Sequence, residues 1–173
     1  MSISSIVIAD DGSDHASAAL DMAIELALKF QAKLTVAHVY THDHPPEELR
    51  HLVEVEHLAG TGRSEEPSTD ISSLVTREPA ASETIAEERL ITVLAEQIIK
   101  NAVNKATDAG VREVSSATRA GDYANSIIAV AEEQNADMIV MGRRGLSNLK
   151  GLLFGSVSQK VSQRANCSVL TVK

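Results

Sequence analysis

The sequence predicts a doubly wound α/β fold: a five-stranded parallel sheet with four main helices over its two faces. Short apolar runs at residues 6–9, 33–40 and 136–141 alternate with stretches of helical period, and that alternation requires parallel strands. Aromatic residues are almost absent. Phe30, Phe154, Tyr40 and Tyr123 are the whole set, so the core must be Ala, Val, Ile and Leu, as expected for helices packed closely on a parallel sheet. At 173 residues the chain reads as a single domain, 1–173, long enough to bury a core.

The elements follow in order. Residues 6–9 form an apolar run between polar neighbours, the pattern of a strand buried on both faces. Ser13 or Asp14 then caps a helix with Leu20, Ala23, Ile24, Ala27 and Leu28 on its inward face. Residues 33–40, rich in β-branched side chains, predict the second strand and complete a right-handed βαβ unit. Residues 41–82 break the pattern. All four prolines, Pro45, Pro46, Pro67 and Pro79, lie there with Gly60 and Gly62. PPEELRHLVEVEHLAG can form a short helix, and the Ser/Thr/Glu-rich remainder reads as loop. Thr84 and Glu87 are spaced as a capping box. Ile91, Leu94, Ala95, Ile98, Ala102 and Ala106 then give one apolar face as far as Gly110, a C-terminal stop. Residues 111–120 predict a weaker third strand. Gly121 and Asp122 open a helix with Ile127, Ile128 and Ala131 inward, and residues 136–141 follow as the fourth strand. Val157 and Val161 belong to the last helix, and residues 168–172 to the last strand.

Charge is unevenly placed. Residues 43–90 carry twelve acidic and four basic side chains, whereas the remainder carries twelve of each. The acidity therefore belongs to an insertion at about 43–82 and its margin, not to the fold. With few aromatics and no basic excess, nucleic acid is not an expected partner. One cysteine, Cys167, excludes an intrachain disulfide, and beside the last strand it reads as a small buried residue. The first residues show no basic region and only a four-residue apolar run. A signal peptide or membrane span is not expected, and the predicted location is cytoplasmic.

The stretch that carries chemistry is GRRGLSNLKGLLFGS, Gly142 to Ser156. It follows an apolar strand and precedes a helix, and it holds Arg143, Arg144 and Lys150 with no acidic residue. Glycines allow close backbone approach, and N–H groups at a helix start point at an anion. The stretch reads as a phosphate cradle. Gly142, two residues, Gly145, nine residues, then Gly155 and Ser156 resembles the G-x2-G-x9-G-[S/T] signature of the universal stress protein family. The resemblance covers the chain apart from the insertion, and it is to the ATP-binding branch.

The resemblance implies an adenine nucleotide alpha-hydrolase-like, Rossmann-like fold that binds ATP, with Mg²⁺ on the phosphates. In an open parallel sheet the ligand lies beyond the carboxyl ends of the strands, at the switch in strand order. The motif positions carried over are Ala9, Asp11 and Ser13 after the first strand, Val39 at the second, and Met141, Gly142, Arg143, Gly145, Gly155, Ser156, Val157 and Ser158 around the loop. Asp11 corresponds to the acidic residue that contacts the nucleotide, with Asp10 as rival if the register slips by one. Val39 and Met141 correspond to the base pocket. The bland reading of Asp11 and Ser13 is helix capping, of Val39 and Met141 ordinary core, and of Arg143 and Arg144 a solvated face.

The family also implies a homodimer formed through the last strand, where Val169, Leu170 and Val172 offer an uncovered edge. Leu170→Pro is the expected way to break it. A nucleotide-dependent stress or signalling regulator with an unknown protein partner follows. The alternative is a dimeric interaction module that binds no ATP, whose relatives typically lack the glycine motif. His42, His44, His51 and His57 lack the rigid four-ligand frame that zinc requires, and His38 reads as a hydrogen-bonded core histidine. No Ser/His/carboxylate signature and no G-x4-G-K-[ST] loop is present. Slow ATP hydrolysis is the most that is expected. Valines at Gly142 and Gly145 should abolish binding with the fold intact, and deleting 61–81 should cost little stability.

Overall fold

The computed structural model describes residues 2–40, 80–146 and 154–173, without the side chains of 80–91. The elements are β1 (Ser5–Ala9), α1 (Asp14–Phe30), β2 (Lys33–Tyr40), α2 (Ala80–Asp108), β3 (Val114–Ala120), α3 (Tyr123–Glu133), β4 (Met138–Gly142), α4 (Ser156–Arg164) and β5 (Ser168–Val172). Every strand pairing is parallel, in the order β3-β2-β1-β4-β5. The predicted fold class is the observed one.

Strand alternation divides the core into two layers. Ile6, Ile8, Leu34, Val36 and Val140 face Ala19, Leu20, Ala23, Ile24 and Ala27 of α1 and Ala102 and Ala106 of α2. Val7, Ala37, Val39, Ile139 and Met141 face Ala124, Ile127, Val130 and Ala131 of α3 and Val161 of α4. Alanines dominate the helix faces because a small side chain lets a helix sit close to branched strand residues. The chain leaves β1 toward one layer and β4 toward the other. Between their carboxyl ends lies the switch point where this architecture opens a crevice.

Local chemistry sets the element boundaries. Ser13 caps α1, its hydroxyl accepting from Ala16 N at 3.2 Å, and Gln31 ends the helix with φ 56°. Asp122 caps α3 through Asn125 N at 2.9 Å. Asp137, ahead of β4, accepts from Ser4 N, Ser4 Oγ and Ser5 N at 2.7, 2.9 and 3.1 Å. Those donors hold its carboxyl below the usual range and tie the amino ends of β1 and β4 together.

Several expectations are corrected here. Leu28 is exposed, not inward; the chain turns at Gln31, and Ala32 fills the core position that follows Ala27. Helix α2 starts at Ala80, so Thr84 is already inside the helix and does not cap it. Ala80, Ala81 and Glu83 are good helix formers and extend it upstream, so a deletion of 61–81 would cut into it. Cys167 is half-buried, and that burial raises its thiol pKa. The short helix at PPEELRHLVEVEHLAG, most of the insertion, the four clustered histidines and Lys150 lie outside the described residues.

Candidate functional site

The loop after β1 turns at Gly12, whose φ of 80° suits glycine. Asp10 and Asp11 part there. Asp10 is 7% exposed, its Oδ1 accepting from Gly12 N at 2.9 Å and its backbone N–H donating to Ala37 O at 2.9 Å. His38, also buried, donates from Nδ1 to Asp10 O at 2.7 Å. A carbonyl only accepts, so Nδ1 carries the proton. This confirms His38 as a hydrogen-bonded core histidine that braces the turn.

Asp11 points the other way. Its Oδ1 accepts from Ser13 N at 3.1 Å and its Oδ2 from Leu146 N at 3.2 Å. The second bond crosses the switch point to the loop after β4. Of the two acidic residues, Asp11 is the one brought against the glycine loop.

The glycines serve space, not unusual dihedrals. The described glycines with positive φ are Gly12, Gly110 and Gly121. At Gly142, the last residue of β4, a Cβ would lie 2.8 Å from Arg144 O and 3.0 Å from both C and Cβ of His15. Helix α1 thus enters its first turn directly over the end of β4. At Gly145 a Cβ would lie 2.3 Å from Asp11 Oδ2, and at Gly155 3.3 Å from Arg143 O. The expectation that valines at Gly142 and Gly145 spare the fold is therefore corrected: Gly142 is needed for packing α1 on β4.

The base of the loop is clasped. Arg143 N donates to Val172 O at 2.6 Å, and Arg143 O accepts from Gly155 N at 3.0 Å and from Ser158 Oγ at 2.8 Å. Ser158 is 2% exposed and also reaches Gly155 O at 3.0 Å, so its hydroxyl holds the loop stem. Helix α4 is capped by Gly155 without a side-chain bond. Ser156 is its exposed first residue. Val157 is half-buried against the α3 layer. The Arg143 guanidinium lies 6.0 Å from the Phe154 ring centroid, and Arg143 and Arg144 are both half-buried, not a solvated face.

Ala9, Val39 and Met141 share one side of the sheet's carboxyl end. Ala9 pairs with Ala37 and Met141, and Val39 and Met141 are buried in the α3 layer. Val39 lies inside β2, one residue before its end. Val39 and Met141 are thus core residues at that end, with Ala9 half-buried beside them, while Asp11 meets Gly145 and Leu146 across the switch point. Sequence reading did not find Leu146, whose backbone N–H alone is used, or His15, which meets Gly142 only through the fold. The buried role of Asp10 was equally hidden, since two adjacent aspartates are alike in sequence.

Burial, first, and the neighbouring Asp11 charge raise the Asp10 carboxyl above its ordinary value, against the pull of Gly12 N–H, His38 and Lys105. A raised folded pKa means that ionising Asp10 opposes folding. That penalty is present at neutral pH and absent below the unfolded pKa, where both states are protonated. Asp10→Asn keeps an acceptor for Gly12 N. It should raise the melting temperature at pH 7, and the gain should fade as pH drops to about 4. Thermal melts across that range check it.

Comparisons with known proteins agree with this architecture. The model of the "Universal stress protein family" matches residues 3–173. The stress response protein NhaX of Bacillus subtilis is 37% identical over 177 residues, covering 97% of this chain and 96% of its own. The solved universal stress protein UspA of Lactobacillus plantarum superposes with a TM-score of 0.72 at 19% identity, covering 100% and 99% of the two chains. A universal stress protein in complex with cAMP gives 0.62 at 24% identity and covers 100% and 99%. One from Archaeoglobus fulgidus in complex with dAMP gives 0.58 at 24% and covers 100% of both. With the motif spacing, the doubly wound sheet and a full-length family match in agreement, the chain belongs to the universal stress protein family.

Proposed function

We propose that this chain binds an adenine nucleotide, ATP with Mg²⁺, in the crevice between the carboxyl ends of β1 and β4. In this reading it acts as a homodimeric stress or signalling regulator whose nucleotide occupancy changes what protein it binds. The observation that carries the reading is the meeting of Asp11 with Gly145 and Leu146 across the switch point. It joins an acceptor for ligand donors to the one point, Gly145, where the described loop beside Asp11 carries no side chain. Related structures that hold cAMP and dAMP support the ligand class.

The residues suit such a ligand. In this reading Ala9, Val39 and Met141, at the carboxyl end of the sheet, would line the base pocket. The first-turn amides of Ser156 and Val157, which have no hydrogen-bond partner inside the helix, would receive phosphate oxygens. Among the described residues no three His, Cys, Asp or Glu side chains stand together, so Mg²⁺ would arrive on the phosphates beside Asp11. Phosphoryl transfer needs a placed nucleophile as well as bound phosphates, and in this reading hydrolysis is slow at most. No described helix is long and apolar enough to cross a membrane. Isothermal titration with Mg·ATP and with AMP tests the reading: saturable binding of one nucleotide per chain is expected, and no heat with either would overturn it.

A further inference from the structure

We propose that Ile98 couples the turn after β1 to the upstream half of α2, so that filling the crevice orders residues 92–97. The inference rests on the nucleotide reading above and concerns how occupancy of that site is passed on. Helices α1 and α2 run side by side, both from the carboxyl end of the sheet toward its amino end. Three contacts set their register. A Cβ on Gly12 would stand 2.9 Å from Ile98 Cδ1 and 3.3 Å from its Cγ1. Lys105 Nζ lies 2.6 Å from Asp21 Oδ1, and a Cβ on Gly110 would stand 4.0 Å from Leu28 Cδ2. Ile98 is therefore level with the turn that precedes α1. Residues 80–97 continue past it, roughly 27 Å of helix at 1.5 Å per residue.

The core holds the lower half of α2. Ala102 and Ala106 are buried in the α1 layer, and Val103 packs against it. Upstream, Ala95 is buried but belongs to neither core layer among the described residues, and Thr92, Val93, Glu96 and Gln97 are exposed. Helical order in a folded protein comes mostly from the packing of an apolar face, so the overhang depends on its contact with the turn. The Lys105–Asp21 pair is exposed on both sides, and such pairs contribute little. Ile98, half-buried, is the apolar contact at that level. Its seat is a glycine turn with φ 80°, whose N–H donates to Asp10 Oδ1 at 2.9 Å. A ligand lying on this turn narrows its motion and gives Ile98 a fixed surface to pack on. The coupling joins two local stabilities and needs no displacement of the fold.

Hydrogen exchange at the amides of residues 92–97, with and without saturating Mg·ATP, tests the coupling, and calorimetry on the same samples verifies saturation. In wild type, ATP should raise protection there by about fivefold, the low end for coupled sites. Ile98→Ala should still bind ATP yet lose that gain, and Ile98→Leu, of equal volume, should recover it. Val103→Ala is the control for simple destabilisation, because Val103 packs on the core further down the same helix. It should lower the melting temperature and keep the gain. Three results would overturn the coupling and leave the nucleotide site standing: wild type that binds ATP with unchanged protection, Ile98→Ala that keeps the gain or binds no ATP, or Val103→Ala that loses it. Absence of any adenine-nucleotide binding to wild type would overturn both.

Discussion

Gly142→Val is expected to destabilise the fold by about 3 kcal/mol, the upper end for overpacking a filled core. For a domain of this size that is a fall in melting temperature of roughly 10 °C. The neighbours of the missing side chain are what make the effect large. A Cβ at this position would meet Arg144 O at 2.8 Å and the C and Cβ of His15 at 3.0 Å. These atoms belong to backbone or to its first side-chain carbon, so no rotamer change relieves the contact, and valine adds two methyl groups to it. Either α1 lifts from β4 or the start of the glycine loop moves. Gly145→Ala is the matched control. Its clash is with a carboxylate at the end of a short side chain, and its melting temperature should stay near that of wild type. Calorimetry on the two variants decides, and equal melting temperatures would show that α1 does not close on the end of β4 as described.

That contrast explains which parts of the protein the sequence could display. The sheet was legible because burial on two faces writes itself as continuous apolar runs. Residues 6–9, 33–40 and 136–141 each show one, and observed β1, β2 and β4 cover nearly the same positions. β3 is an edge strand with exposed Ser115, Ser116 and Thr118, so its run was weaker in sequence for the same reason that it is wetter in the fold. The start of α2 was misplaced because a capping-box spacing at Thr84 and Glu87 competes with helix formers just upstream, and propensity won.

In the candidate site, motif spacing singled out the loop and Asp11, which meet in the fold, but not what each glycine does. Gly142, Gly145 and Gly155 are equivalent in a pattern. In space one abuts α1, one abuts a carboxylate, and one stands at the clasped stem. Those roles depend on residues 127 or more positions away in the chain for Gly142 and Gly145, and long-range contacts leave no local signal. Ser158 shows the same limit. Its place beside the motif suggests a ligand contact, whereas its burial and its bonds to Arg143 O and Gly155 O give it the loop stem.

Thr171→Pro is expected to convert the proposed homodimer to a monomer without removing any bond inside the sheet. β5 is an edge strand, paired on one side with β4 and half-buried along most of its length. Ser168 N donates to Asp137 O at 3.2 Å, and Val172 O accepts from Arg143 N at 2.6 Å. Backbone groups alternate sides along a strand, so Ser168, Leu170 and Val172 turn theirs toward β4 while Val169 and Thr171 turn theirs to the free edge. Leu170→Pro, the substitution that sequence alone suggests, would therefore break a bond within the subunit and lower stability whether or not a dimer forms. Thr171→Pro removes an outward N–H, at the place where proline is tolerated in a lone edge strand and excluded from a paired one. Light scattering at micromolar concentration should give twice the chain mass for wild type and one chain mass for the variant, with unchanged circular dichroism. A monomeric wild type removes the dimer from the proposal. A variant that stays dimeric moves the interface away from β5.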